Sequence, residues 1–210
     1  PKQWLKNSFV VAPLVFSGQI SVELLIVSIQ ALIIFIISSS CVYVFNDLKD
    51  IEYDKQHPKK RFRPIASGDI GINSAILYLF SLLILNIFLI YYFAIPLTGI
   101  ILISAYLLIN LLYSLGLKNI PLLELAILSS GFVIRLVFGA EVAEITLSTW
   151  IIVCSGLLSL MIAVGKRKND LYQHSTNQTE KRASLEGYNL EFLDQVNALL
   201  ASVTIMSYLL

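Results

Sequence analysis

Long apolar runs, broken by short polar intervals, fill this chain, and none shows the apolar–polar alternation of a membrane β-strand, which excludes a β-barrel. Residues 22–45, 72–94, 96–116, 121–140 and 147–164 reach the roughly 18-residue length a helix needs to cross a bilayer at about 1.5 Å per residue. A further apolar segment opens near Leu190. The first run, residues 9–20 ("FVVAPLVFSGQI"), is short and contains Pro13, so it spans only if helix extends back through Trp4. Pro96 suits a first helical turn, and Gly116 suits a helix end. The pattern predicts an all-α, polytopic transmembrane helical bundle of about seven helices, one domain over residues 1–210, with no soluble domain left over.

Composition agrees. Hydrophobic residues make up 57% and charged residues 14%, against roughly 25% charged in soluble domains; mean hydropathy is +0.77. The net charge of +1 gives no reason to expect nucleic acid. Cys41 and Cys154 lie inside apolar segments without a CxxC pattern and read as buried thiols. The chain lacks a starting Met and stops inside an apolar segment, so trimming at both ends is expected.

Cations mark every second boundary: Lys2, Lys6, Lys49, the group from Lys55 to Arg63, Lys118, Lys166 to Lys168, Lys181 and Arg182. The intervening turns "GQISVE", "FAIPLTG" and "AEVAEITLS" contain none. By the positive-inside rule the cation-bearing ends face the cytoplasm. Only Arg135 falls within a span. A central guanidinium is costly in lipid, so it either reaches a cavity or pins helices through polar partners.

Chemistry concentrates in "FNDLKDIEYDKQHPKKRFRPIASG", residues 45–68. With helix continued through Asp54, Asn46, Asp47, Asp50 and Asp54 fall within about 100° of arc, whereas Glu52 lies at about 240°, on the far side. Three like charges on one face repel unless a cation sits among them, and oxygen ligands suit Mg²⁺. Mg²⁺ is commonly held by one or two carboxylates plus substrate phosphates, which implies a phosphorylated ligand. Lys55, Lys59, Lys60, Arg61 and Arg63 then supply phosphate donors. A solvated loop whose cations meet anionic lipid headgroups is the alternative from the residues alone. His57, before Pro58, reads as a turn residue, and His174 as solvated.

"NDLKDIEYD" followed by "RPIASG" resembles the first aspartate-rich motif, NDxxDxxxD, of the UbiA superfamily of intramembrane prenyltransferases. Within it the chain is most similar to the phosphoribosyl-transferring branch. That similarity rests on "PKQWLKN" (1–7), "HPKKRFRPIASG" (57–68), "NLLYSLGLK" (110–118), "SGFVIRLVFGA" (130–140), "GKRKNDL" (165–171) and "RASLEGY" (182–188). It departs at Glu124, where Asp is expected, and at Asp170, where Glu often follows "GKR". The second aspartate-rich motif of ordinary members is absent from the later polar loop, which offers "GKRKND" and "TEKR" instead.

The resemblance implies Mg²⁺-dependent transfer of phosphoribose from phosphoribosyl diphosphate to a polyprenyl phosphate in the cell inner membrane, at a site facing the cytoplasm. The rival is prenyl transfer from a prenyl diphosphate to an aromatic or other small acceptor. Asp47, Asp50 and Asp54 are the implied metal ligands, with Asn46 beside them as an orienting catalytic group. Lys6, Lys60, Arg61, Arg63, Tyr113, Lys118, Arg135, Lys166 and Arg167 are the implied substrate-binding residues. For Lys118, Lys166 and Arg167, pairing with helix-end carbonyls and headgroups is the structural alternative, and for Tyr113 it is an interfacial role. A homo-oligomer is left open.

Overall fold

The computed structural model describes residues 4–58, 60–177, 185 and 187–209. Lys2, Lys59, Lys181, Arg182 and the His174 side chain lie outside the described residues. A 3₁₀ stretch, Trp4–Val10, leads into α1 (Ala12–Phe16) and the long α2 (Val22–Lys49). Then come α3 (Ile51–Gln56), α4 (Pro64–Ser67), α5 (Ile72–Tyr92), α6 (Leu97–Leu115), α7 (Leu123–Val142), α8 (Thr149–Asn177) and α9 (Leu190–Leu209). Among the described residues, α2, α5, α6, α7, α8 through Tyr172, and α9 are long and apolar enough to cross a membrane. The opening run does not join them. It forms a 3₁₀ stretch and a five-residue helix with Pro13 in its first turn, packed on α7 and α2.

Two differences from the sequence reading have simple causes. Helix α8 continues beyond residue 164 to Asn177, because the stretch after it contains no Pro and carries the i,i+3 pair Arg167–Asp170. Helix α2 stops at Lys49, and Asp50 (φ −98°, ψ 12°) leaves helical geometry before α3. The i to i−4 ladder still crosses the join, through Asp50 N–H to Asn46 O and Asp54 N–H to Asp50 O.

Helix α7 is the hub, contacting α2, α6, α8 and the opening stretch, while α5 packs on α2 and α9 on α8. One core joins Val10, Ile34, Phe35, Ile103, Tyr106 and Phe138; the other joins Leu125, Val164, Tyr188, Leu193 and Leu200. Large apolar side chains such as Phe80, Tyr91 and Ile205 point outward, as a lipid-facing surface requires. Polar ties replace the hydrophobic drive that helices lack in lipid: Asn86 Nδ2 donates to Ile34 O and Ser38 Oγ, each at 3.0 Å, across α5 and α2.

Gly139 lets the opening stretch reach α7. A Cβ there would stand 1.8 Å from the Val10 carbonyl oxygen, so backbone would have to move. Gly139→Ala is expected to destabilise the protein by about 1–3 kcal/mol, as overpacking does, read from denaturant titration in mixed micelles.

Candidate active site

The C-terminal ends of α2, α6 and α8 and the N-terminal end of α7 converge at one end of the bundle, as the contacts Lys118–Asp50 and Arg167–Glu124 require. There the chain leaves α3 at His57, which is extended (φ −82°, ψ 130°) ahead of Pro58, and its Nδ1 accepts the Lys60 N–H at 3.3 Å. The reversal brings the basic segment back over the aspartates. Arg63 caps α4, where Pro64 occupies the first turn and Gly68 ends the helix in left-handed geometry (φ 88°).

The three aspartates do not present one uniform face. Arg63 Nη1 donates to Asp47 Oδ1 and Asp54 Oδ2, both at 2.7 Å, whereas Asp50 accepts from Lys118 Nζ in the 3₁₀ turn Leu117–Asn119 that follows α6. Asp54 is fully buried, and Lys60 Nζ lies 3.8 Å from its Oδ1 while also sitting 4.8 Å from the Tyr53 ring centroid. Arg61 is exposed and lies over the Phe62 ring. Asn46 Oδ1 accepts from Ser114 Oγ at 3.1 Å, tying α2 to α6 beside Tyr113.

Arg135 and Arg167 are buried and already partnered. Arg167 meets Glu124 in a two-point pair (Nε to Oε1 2.6 Å, Nη2 to Oε2 2.7 Å) and donates through Nη1 to Asp170 Oδ2 at 2.6 Å. Arg135 donates to Asn7 Oδ1 (2.9 Å), Gly131 O (2.6 Å) and Tyr106 OH (3.0 Å), and Asn7 passes the link on to Ser39 Oγ at 2.9 Å. Its guanidinium also lies about 5 Å from the Phe35 and Tyr106 ring centroids. Glu124 and Arg135, although close on the helical wheel, take different partners. Asn7 is the residue the sequence reading assigned no role; an amide one position after Lys6 at the start of an apolar run was its only signal.

Lys6 stands next to this knot, part of its side chain still open to solvent. Burial, then the positive charges of Lys166 and Arg135, hold Lys6 below the ordinary lysine range. Tyr113 lies within electrostatic reach of Arg167.

The donor set fits a hard divalent cation. Asp47, Asp50, Asp54 and the Asn46 amide oxygen are hard oxygen donors to a metal, and among the described residues nothing donates a hydrogen bond to the buried Asp54 Oδ1. Among the described residues no group of three or more His, Cys, Asp or Glu, the three expected aspartates included, is placed to hold a metal ion, because Arg63 and Lys118 hold those carboxylates apart. Mg²⁺ ordinarily needs only one or two carboxylates when substrate phosphates supply the rest. Below Asn46 an apolar cavity of about 240 Å³ opens between α2, α5 and α6, lined by Cys41, Phe45, Leu83, Leu107 and Leu111.

An all-helical membrane bundle with an interlocked acidic and basic cluster at one end is the class of protein defined by this fold and site. The UbiA prenyltransferase family matches residues 8–185, and the chain belongs to that family. It is 34% identical to the decaprenyl-phosphate phosphoribosyltransferase of Corynebacterium glutamicum, over 100% of this chain and 64% of that relative. It is 32% identical to the enzyme of that name from Mycobacterium tuberculosis strain H37Rv, over 99% of this chain and 70% of the relative. The chain thus spans about two thirds of the length of these curated relatives.

Among solved structures, a UbiA homolog from Archaeoglobus fulgidus bound to DMAPP and Mg²⁺ superposes with a TM-score of 0.75 at 15% identity, covering 99% of this chain and 74% of that one. A digeranylgeranylglyceryl phosphate synthase superposes with a TM-score of 0.74 at 20% identity, covering 97% of this chain and 70% of that one. At these identities the likeness establishes the fold.

Proposed function

We propose that this protein transfers phosphoribose from phosphoribosyl diphosphate to a polyprenyl phosphate, releasing diphosphate, at the cytoplasmic face of the cell inner membrane. The reading is supported most directly by relatives of that name at 32–34% identity along essentially the whole chain. The cation-rich loops at the site's end support the orientation.

In this reading the acceptor phosphate oxygen attacks C1 of the ribose, the C1–O bond to diphosphate breaks, and the electron pair leaves with diphosphate. The acceptor is already anionic at neutral pH, so no general base is required. Asp47, Asp50 and Asp54 would hold Mg²⁺, which when bound offsets charge on the leaving diphosphate. Asn46, fixed by Ser114, orients a carboxylate or a ribose hydroxyl. Lys60, Arg61 and Arg63 hold the donor's phosphates from the loop, and Lys118 and Tyr113 border them from α6. The aspartate side chains also favour positive character at C1.

Lys6 and Lys166, within electrostatic reach of each other, receive the acceptor phosphate, and Arg135 and Arg167 fix the elements that carry them. Lys6→Met is expected to raise KM for polyprenyl phosphate about tenfold, the loss of one charge-assisted contact, with KM for the donor little changed. Burial and the neighbouring positive charges lower the Lys6 pKa, so its proton is lost at a lower pH than an ordinary lysine's, and an anionic acceptor favours the charged form. Acceptor affinity should therefore fall as pH rises into the range where Lys6 deprotonates, and Lys6→Arg should remove that fall.

Diphosphate release by purified protein tests the reaction. It should require phosphoribosyl diphosphate and polyprenyl phosphate together; release from a prenyl diphosphate with a small acceptor, and not from this pair, contradicts the reading.

A further inference from the structure

We infer that Arg63 and Lys118 are internal counter-ions of the three aspartates, and that their exchange onto an incoming diphosphate makes divalent-metal capture conditional on that diphosphate. The inference rests on the proposed reading of this end of the bundle as a diphosphate site, but not on which group the diphosphate carries.

The charges balance as they stand. Asp47, Asp50 and Asp54 face Arg63, Lys118 and Lys60: Arg63 bridges Asp47 and Asp54, Lys118 holds Asp50, and Lys60 is the second cation at Asp54. A bare divalent ion entering this cluster brings two positive charges to carboxylates already neutralised. To reach Asp54 it must separate Arg63 from its partners, leaving a partly enclosed guanidinium unpaired, and breaking such a pair one-sidedly is the costly case. A bare diphosphate fares no better, since drawing Arg63 and Lys118 to itself leaves their carboxylates unpaired. Arriving together, the two satisfy both sets: metal replaces Arg63 and Lys118 on the aspartates, and the freed cations turn to phosphate oxygens.

The geometry of Arg63 suits that exchange. Its Nη1 alone serves both carboxylates, and among the described residues Nε and Nη2 donate to no acceptor. Half of a guanidinium fork is therefore available to phosphate before the carboxylates are released. The backbone need not move, because Arg63 is anchored as the cap of α4 by Pro64 and by the turn at Gly68. Asp54 Oδ1, buried without a hydrogen bond, is the oxygen such an exchange would complete.

Equilibrium dialysis of Mn²⁺ against the purified protein in nanodiscs, with and without pyrophosphate, measures the coupling; the protein-free chamber corrects for the manganese–pyrophosphate complex. Pyrophosphate is expected to tighten Mn²⁺ binding roughly 5- to 150-fold, the range of ordinary two-ligand coupling, and Mn²⁺ should tighten pyrophosphate by the same factor. Arg63→Gln combined with Lys118→Met should bind Mn²⁺ more tightly than wild type without pyrophosphate and should lose most of the enhancement.

Equal Mn²⁺ affinity with and without pyrophosphate in the wild type, or no Mn²⁺ binding in either condition, overturns the inference without recourse to any variant. An unaltered enhancement in a double variant that elutes and melts like wild type also overturns it. Failure of the ribosyl reaction alone is distinguishable, because a prenyl-transferring enzyme would keep the pyrophosphate-dependent Mn²⁺ binding.

Discussion

Asp54→Asn is expected to lower kcat by about 10²–10³-fold, the loss typical of removing one group aimed at developing charge. The substitution keeps the shape of the side chain, so the change is one of charge and ligand character. Asp54 is fully buried, shares Arg63 with Asp47, and carries the oxygen that accepts no hydrogen bond. Neutralising it removes a proposed metal ligand and leaves Asp47 as the one charged partner of Arg63 among the described residues. Steady-state kinetics at saturating substrates and Mg²⁺ gives the number, with the melting transition in detergent as the fold control. Glu52→Gln is the matched comparison. Glu52 is exposed and, among the described residues, pairs with Lys55 alone, so kcat should stay within about twofold, as for an ordinary surface ion pair.

Glu124→Ala is expected to cost about 3–5 kcal/mol of stability, the penalty for leaving one member of a buried ion pair alone. Glu124 and Arg167 are both essentially inaccessible, and their two-point contact joins α7 to α8. The cause is the orphaned guanidinium more than the lost attraction. Replacing both partners by apolar residues, Glu124→Leu with Arg167→Met, should therefore recover much of the stability while leaving activity impaired. Denaturant titration in mixed micelles reads both variants; a single variant within about 1 kcal/mol of wild type would put the pair among the weak surface contacts.

Much of the architecture could be read from the sequence because lipid imposes a coarse rule. Spans must be long, apolar and helical, and cations sort the ends, so the bundle of about seven helices expected from run lengths comes close to the six long apolar helices among the described residues, and the Lys and Arg positions mark the end they share. The aspartate spacing was legible for the same periodic reason. What periodicity could not supply is partnership. Arg63 returns to Asp47 across sixteen residues only because His57 and Pro58 turn the chain, and Lys118 reaches Asp50 from sixty-eight residues away.

The two buried arginines make the point from the other side. Arg135 announced itself as a charge within a span, but nothing in the spacing identified Asn7, 128 residues distant, as its partner. Arg167 read as one cation of a basic run, and its burial against Glu124 depends on α8 continuing past the apolar segment. Helix ends next to charged clusters were the least legible elements. Asp50 pairs with Lys118 while Asp47 and Asp54 face Arg63 and Lys60, and Lys118 lies far along the chain.

The most direct test of the proposed reaction follows the ribose label and the released diphosphate together. Purified protein in nanodiscs would receive phosphoribosyl diphosphate labelled in the ribose carbon, polyprenyl phosphate and Mg²⁺, and the lipid phase would be analysed by mass and by label. A lipid heavier by one phosphoribosyl group that retains the ribose label is expected, with one diphosphate released per lipid formed. An unlabelled lipid phase, in a preparation that instead joins a prenyl chain from its diphosphate to a small acceptor, would contradict it.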